Sequence, residues 1–132
     1  MLDLIIKNGV CYIDKELKDQ DIAIKDGKII KSGKIEEEAK ETFNAKGLTV
    51  LPGCIDTQTH FREPGSTDTE DLHSGSRAAI VGGITREFEI PNTNPPTANK
   101  KEFQRKLDLA KNRMYCNYGF YFGATPDLSL IH

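Results

Sequence analysis

The sequence contains no apolar run approaching the ~20 residues that a membrane-spanning helix requires, which excludes a helical integral membrane protein. A strong charge of either sign is also missing. The formal net charge is −2, so bulk electrostatics point to neither nucleic acid nor an anionic membrane as a partner. Cysteine is scarce: Cys11, Cys54 and Cys116 are odd in number and far apart. That spacing excludes a disulfide framework and a zinc knuckle, and reads as reduced thiols of a cytoplasmic protein. Met1 to Val10 lacks the pattern of a secretory signal, because Asp3 and Lys7 interrupt a short apolar run. The 132 residues suffice for a core, but a complete eight-stranded barrel needs roughly 200 or more.

What is present begins with short strands. Leu2 to Ile6 is followed by Asn8-Gly9, a hairpin signal, with Val10 to Ile13 as the return strand. Asp21 to Lys25 alternates polar with apolar residues, and Asp26-Gly27 turns it into Lys28-Ile29-Ile30. The pattern predicts a small antiparallel β-sheet with one buried face over residues 1–50. The charged Lys34 to Lys40 reads as a solvated loop or one helical turn, and Thr42 to Ala45 and Leu48 to Leu51 lead out of the sheet.

The stretch Leu51 to Gly65 reads LPGCIDTQTHFREPG. It is apolar at its start and polar at its end, as a parallel barrel strand is when its interior is packed and its carboxyl end carries the chemistry. Gln58, His60 and Arg62 would point the same way as far as the extended conformation persists. A helix is predicted from about Glu70 to Val81, capped by Thr67 or Thr69 and stopped by Gly82-Gly83. Glu70-Asp71 suit its positive end. Ile84 to Ile90 follows as a strand and Pro91 to Pro96 as a rigid loop. A second helix, started by Asn99 or Thr97, runs from about Lys100 to Asn112 with Phe103, Leu107 and Ala110 at helical spacing. Its basic residues read as solvated surface. Tyr115 to Phe122 is a third strand, ended by Gly123 to Pro126. Residues 51–132 thus read as three strands and two helices of a partial (β/α)8 barrel, an α/β fold.

These phrases resemble the cyclic amidohydrolases, and type I dihydroorotase in particular, whose first barrel strand reads Asp-x-His-x-His-[apolar]-Arg-x-Pro-Gly. Here His60 and Arg62 match, while Gln58 replaces the first histidine; some dihydroorotase-like sequences carry that same glutamine. Glu70-Asp71, Gly75-Ser76, Ala78-Ala79, Gly82-Gly83, Thr85 and Pro91-Asn92-Thr93 fall where the family has matching residues. The resemblance implies interconversion of dihydroorotate and N-carbamoyl-L-aspartate in pyrimidine biosynthesis, on a zinc ion that supplies hydroxide and polarises the carbonyl. It implies a metal contact at His60 and a carboxylate grip from Arg62 and Asn92. Gln58 would be a poor ligand, since a neutral amide competes badly with imidazole or carboxylate. The family's remaining ligands and its general base belong to strands four to eight, so no residue here is expected to be catalytic.

The residues alone leave plainer readings open. His60 is a strand-end histidine bonded to a neighbouring carbonyl, or a weak metal contact. Arg62 and Asn92 are exposed loop residues, or the substrate grip. His73 reads as surface, and His132 tells nothing. Thr85-Arg86-Glu87-Phe88-Glu89-Ile90 carries charges on neighbouring residues that must face opposite ways. An unpaired charge in a barrel interior costs several kcal/mol, so at least one face of that strand is expected not to be deeply buried. The expectation is a truncated dihydroorotase-like chain, inactive alone, taking a small-molecule substrate only when complemented. Self-association through open sheet edges is a further expectation. The alternatives are a non-catalytic partner of aspartate transcarbamoylase, or the remnant of a truncated or split gene.

Overall fold

The structure is a computed structural model and describes residues 1–125. The chain divides into two compact units, Met1–Pro52 and a second beginning at Gly53. The first is a five-stranded sheet. Its strands are β1 (Leu2–Ile13), β2 (Glu16–Lys25), β3 (Lys28–Gly33), β4 (Ala39–Asn44) and β5 (Thr49–Val50). β1 pairs antiparallel with β2, and β2 with β3. β4 and β5 both lie parallel to β1. The sheet is therefore mixed, not antiparallel as the alternation predicted. The segment from Lys34 to Glu38 explains the difference. It crosses back as a loop, anchored by the buried Ile35, and delivers the chain into β4 in the same direction as β1.

Asn8-Gly9 does not turn the chain. The left-handed backbone of Asn8 (φ 62°) is absorbed inside β1, where the pairing with β2 slips between Ile6 and Gly9. A bulge uses the same positive φ that a hairpin turn would. Asp21 stabilises it by accepting the Asn8 amide at 3.0 Å. The turn lies instead at Asp14-Lys15, both with positive φ, and the next one at Asp26-Gly27 as expected. Ile5, Ala23 and Ile35 form the core of this unit.

The second unit alternates strand and helix: β6 (Cys54–Thr59), α1 (Leu72–Val81), β7 (Ile84–Glu89), α2 (Lys100–Ala110) and β8 (Asn117–Phe120). Its sheet has the order β6-β7-β8, and both pairings are parallel. Asp71, not a threonine, caps α1. The Asp71 carboxylate accepts the Ser74 amide at 2.6 Å and completes a capping box, which the nearby threonines do not. Asn99 caps α2 by accepting the Glu102 amide at 2.9 Å. Phe61, Leu72 and Ala110 form the core here. Gly75 lets α1 lie against the Phe61 ring, a place that a β-carbon would fill. β7 is two-faced. Arg86 and Phe88 are exposed, while Glu87 and Glu89 are buried. One face is open, as its charges implied, and the other buries two carboxylates. Cys11 and Cys116 are buried free thiols, and Cys54 is exposed. The last predicted turn reaches Pro126, which lies outside the described residues.

Candidate functional site

The site is built where β6 and β7 end. Phe61 turns into the core beneath the helices. Gln58 is exposed near the end of β6, and His60, just past its end at Thr59, is half-buried. His60 Nδ1 lies 3.0 Å from Asn92 Oδ1, in the loop after β7. An amide oxygen only accepts, so Nδ1 is the donor in this contact. Gln58 is exposed, and its backbone N–H donates to Asp56 Oδ1 at 2.9 Å. Extended geometry stops before Arg62, whose φ is 62°. The left-handed backbone at Arg62 breaks the alternation that the sequence predicted would align it with Gln58 and His60. Its guanidinium is exposed and forms no ion pair with any described residue.

Two loops carry these groups, and they are tied together. The Asn94 amide donates to Pro64 O at 3.0 Å. Gly65, at φ 122°, approaches Asn94 so closely that a β-carbon would stand 2.7 Å from its side chain. The Ser66 amide closes the first loop on Arg62 O at 2.8 Å. Glu63, next to Arg62, is buried and held from two sides. Arg113 donates to both its oxygens, at 2.8 and 3.1 Å, and the Leu72 amide at the start of α1 donates at 2.9 Å. This pairing raises the Arg113 pKa above its ordinary value. In the second loop, the Thr97 amide reaches Pro91 O at 3.0 Å, and Thr97 O accepts the Gly123 amide at 2.8 Å.

Behind the loops lies a buried ion pair. Lys106 of α2 places Nζ 2.7 Å from Glu89 Oε2, and each side chain is 1% exposed. Lys106 also reaches Thr93 Oγ1 at 3.4 Å and sits 5.3 Å from the centroid of the Phe120 ring. The Lys106 contact is off the hydrogen-bonding line, and the Glu89 oxygens accept no other well-directed bond. Burial pushes the Glu89 pKa up, and Lys106 only partly opposes it. On the same face, Cys116 Sγ donates to Glu87 Oε2 at 2.8 Å. Burial raises Glu87, and burial together with the Glu87 carboxyl pushes the Cys116 thiol up to about 12. Neither Glu63–Arg113 nor Lys106–Glu89 emerged from the sequence. For Lys106 a signal exists, since 103, 106, 107 and 110 form one helical stripe.

Among the described residues, no three His, Cys, Asp or Glu side chains converge in a way that could hold a metal ion. His73 is exposed and faces the Tyr115 hydroxyl at 3.3 Å. His132 lies outside the described residues. His60 therefore offers one imidazole, and the described residues do not make a zinc site unaided.

No family model matches the chain. The chain is 43% identical over 113 residues to an allantoinase of Escherichia coli, covering 85% of this chain and 25% of that protein. It is 39% identical over 133 aligned positions to a dihydroorotase of Methanosarcina mazei, covering 99% of this chain and 29% of the relative. Its fold matches an L-hydantoinase (dihydropyrimidinase) from Arthrobacter aurescens with a TM-score of 0.88 and 31% identity, over 96% of this chain and 29% of that one. The matches place this chain in the cyclic amidohydrolase superfamily. The chain spans between a quarter and a third of the length of the relatives it matches. No helix among the described residues is long and apolar enough to cross a membrane.

Proposed function

We propose that this chain forms the first three strands of a cyclic amidohydrolase barrel, adapted to the ring amide of dihydroorotate and its open form, N-carbamoyl-L-aspartate. One observation carries the choice of substrate. Arg62 is an exposed guanidinium with no acid partner among the described residues. Asn92, on the loop tied to Arg62's own, is already oriented by His60. A free guanidinium backed by an amide suits a carboxylate, which dihydroorotate has and the allantoin and hydantoin rings lack. The dihydroorotase match over almost the whole chain supports the same choice. Superfamily members are in general metal-dependent, and here the described residues offer a metal one imidazole. The reading therefore assigns substrate-carboxylate binding to Arg62 and Asn92, a weak metal contact to His60, and no turnover to the chain by itself.

Allantoinase is the second reading, favoured by the 43% identity. A chimera separates the two. This chain replaces the matching amino-terminal part of the Methanosarcina mazei dihydroorotase, with and without Gln58→His. The Gln58→His chimera is expected to open dihydroorotate, and the Gln58 chimera to do so far more slowly. Opening of allantoin but not dihydroorotate by the Gln58→His chimera would reject the dihydroorotate assignment.

A further inference from the structure

Arg62 and Glu63 are neighbours in sequence with opposite charge, yet they do not pair. The Glu63 carboxylate is turned inward, 7% exposed, and Arg113 occupies both of its oxygens. The third hydrogen bond to Glu63, from the Leu72 amide, comes from the start of α1. Asp71 adds a longer contact to Arg113 at 3.8 Å. Every strong contact of Glu63 is thus on the helix side, and Arg62 is left facing solvent as a cation with no partner.

We propose that Glu63 and Arg113 are positioning residues that keep Arg62 free for an anionic ligand. Arg113 neutralises the one carboxylate adjoining the Arg62 backbone and holds it away, so that an incoming carboxylate meets no internal competitor. The proposal rests on the reading of Arg62 as the carboxylate grip. An alternative role is purely mechanical, with Glu63 and Arg113 pinning the loop to the helices. The two differ in sign for one variant. In Glu63→Gln the amide oxygen still accepts the Leu72 N–H, the competing charge is gone, and Arg113 keeps its longer contact to Asp71. Charge shielding predicts anion binding at least as tight as the wild type in that variant, whereas mechanical pinning predicts weaker binding.

The test is a titration of the full 15N-labelled chain with acetate and, separately, with dihydroorotate, following the Arg62, Gly65 and Asn92 resonances by NMR. Arg113→Gln is expected to weaken acetate binding by about fivefold, the size of a partly exposed ion pair competing for Arg62. Arg113→Lys, which keeps the charge and loses the two-pronged geometry, is expected to stay within about twofold of the wild type. Glu63→Gln and the double variant Glu63→Gln/Arg113→Gln are expected to bind at least as tightly as the wild type. Weaker binding in Glu63→Gln with the wild-type fold retained overturns the proposal, as does a wild-type chain whose Arg62 resonances do not respond to acetate. If Arg113→Gln fails to fold, Glu63→Gln and Arg113→Lys decide the matter alone. Should acetate shift Arg62 while dihydroorotate shifts it no further, the substrate assignment fails, and the variants still judge the shielding.

Discussion

Replacing Lys106 by methionine removes the cation from a site where both partners are 1% exposed, so solvent gives almost no screening. The variant leaves a buried Glu89 carboxylate with no well-directed hydrogen bond to either oxygen. Breaking one side of a buried pair costs about 3–5 kcal/mol, against a total margin of ~5–15 kcal/mol. For a unit of this size the lower figure already moves the melting midpoint by roughly 12 °C or more. Burial already outweighs Lys106 at Glu89 in the wild type, since the Glu89 pKa is raised. The pair is therefore a poor source of net stability, and the double variant Lys106→Met/Glu89→Met is expected to be near neutral or stabilising. Urea unfolding at pH 7, followed by circular dichroism and tyrosine fluorescence, measures both. Acidifying the Lys106→Met variant protonates Glu89 and narrows the deficit. A loss below about 1 kcal/mol for Lys106→Met at pH 7 would refute the reasoning, because that is the size of an exposed pair.

Glu87 gives a pH dependence of definite sign. Its folded pKa lies above the ordinary carboxylate value of 4.5, so its contribution to stability is fully present below that value and is lost as pH rises through the raised one. Glu87→Gln, whose amide oxygen still accepts the Cys116 thiol, is expected to melt higher than the wild type at pH 7–8 and not at pH 4. Parallel melting curves of the two proteins across that range would contradict it. Gly75→Ala places a methyl against the Phe61 ring and is expected to cost about 1–3 kcal/mol through overpacking, read as a lower urea midpoint with an unchanged slope. An unchanged midpoint would mean that α1 and Phe61 do not pack as described.

The strand-helix alternation after residue 53 was legible because each element carries its own periodicity and stop signal: Gly82-Gly83 after α1, and the Phe103, Leu107, Ala110 stripe on α2. The first unit was less legible. Asn8-Gly9 offers the same positive φ to a bulge or a turn, and only the Asp21 carboxylate that accepts the Asn8 amide decides between them. The parallel return of β4 depends on Ile35, one apolar residue in a charged segment, finding the core. At the site, His60, Arg62 and Asn92 were singled out through the resemblance to the cyclic amidohydrolases. Their supports were not, since Arg113 meets Glu63 across 50 positions of chain and Lys106 looks like a solvated lysine until α2 is docked. Long-range charge pairing leaves no periodic trace in a sequence.

As proposed, the site grips an anion but is too poor in ligands to hold and fire a metal. The direct measurement is to incubate the purified chain with stoichiometric zinc and dihydroorotate, following ring opening and bound zinc together. The expected result is weakly held, readily dialysed zinc and no N-carbamoyl-L-aspartate above the blank. Steady ring opening by a chain that retains one zinc through dialysis would contradict it.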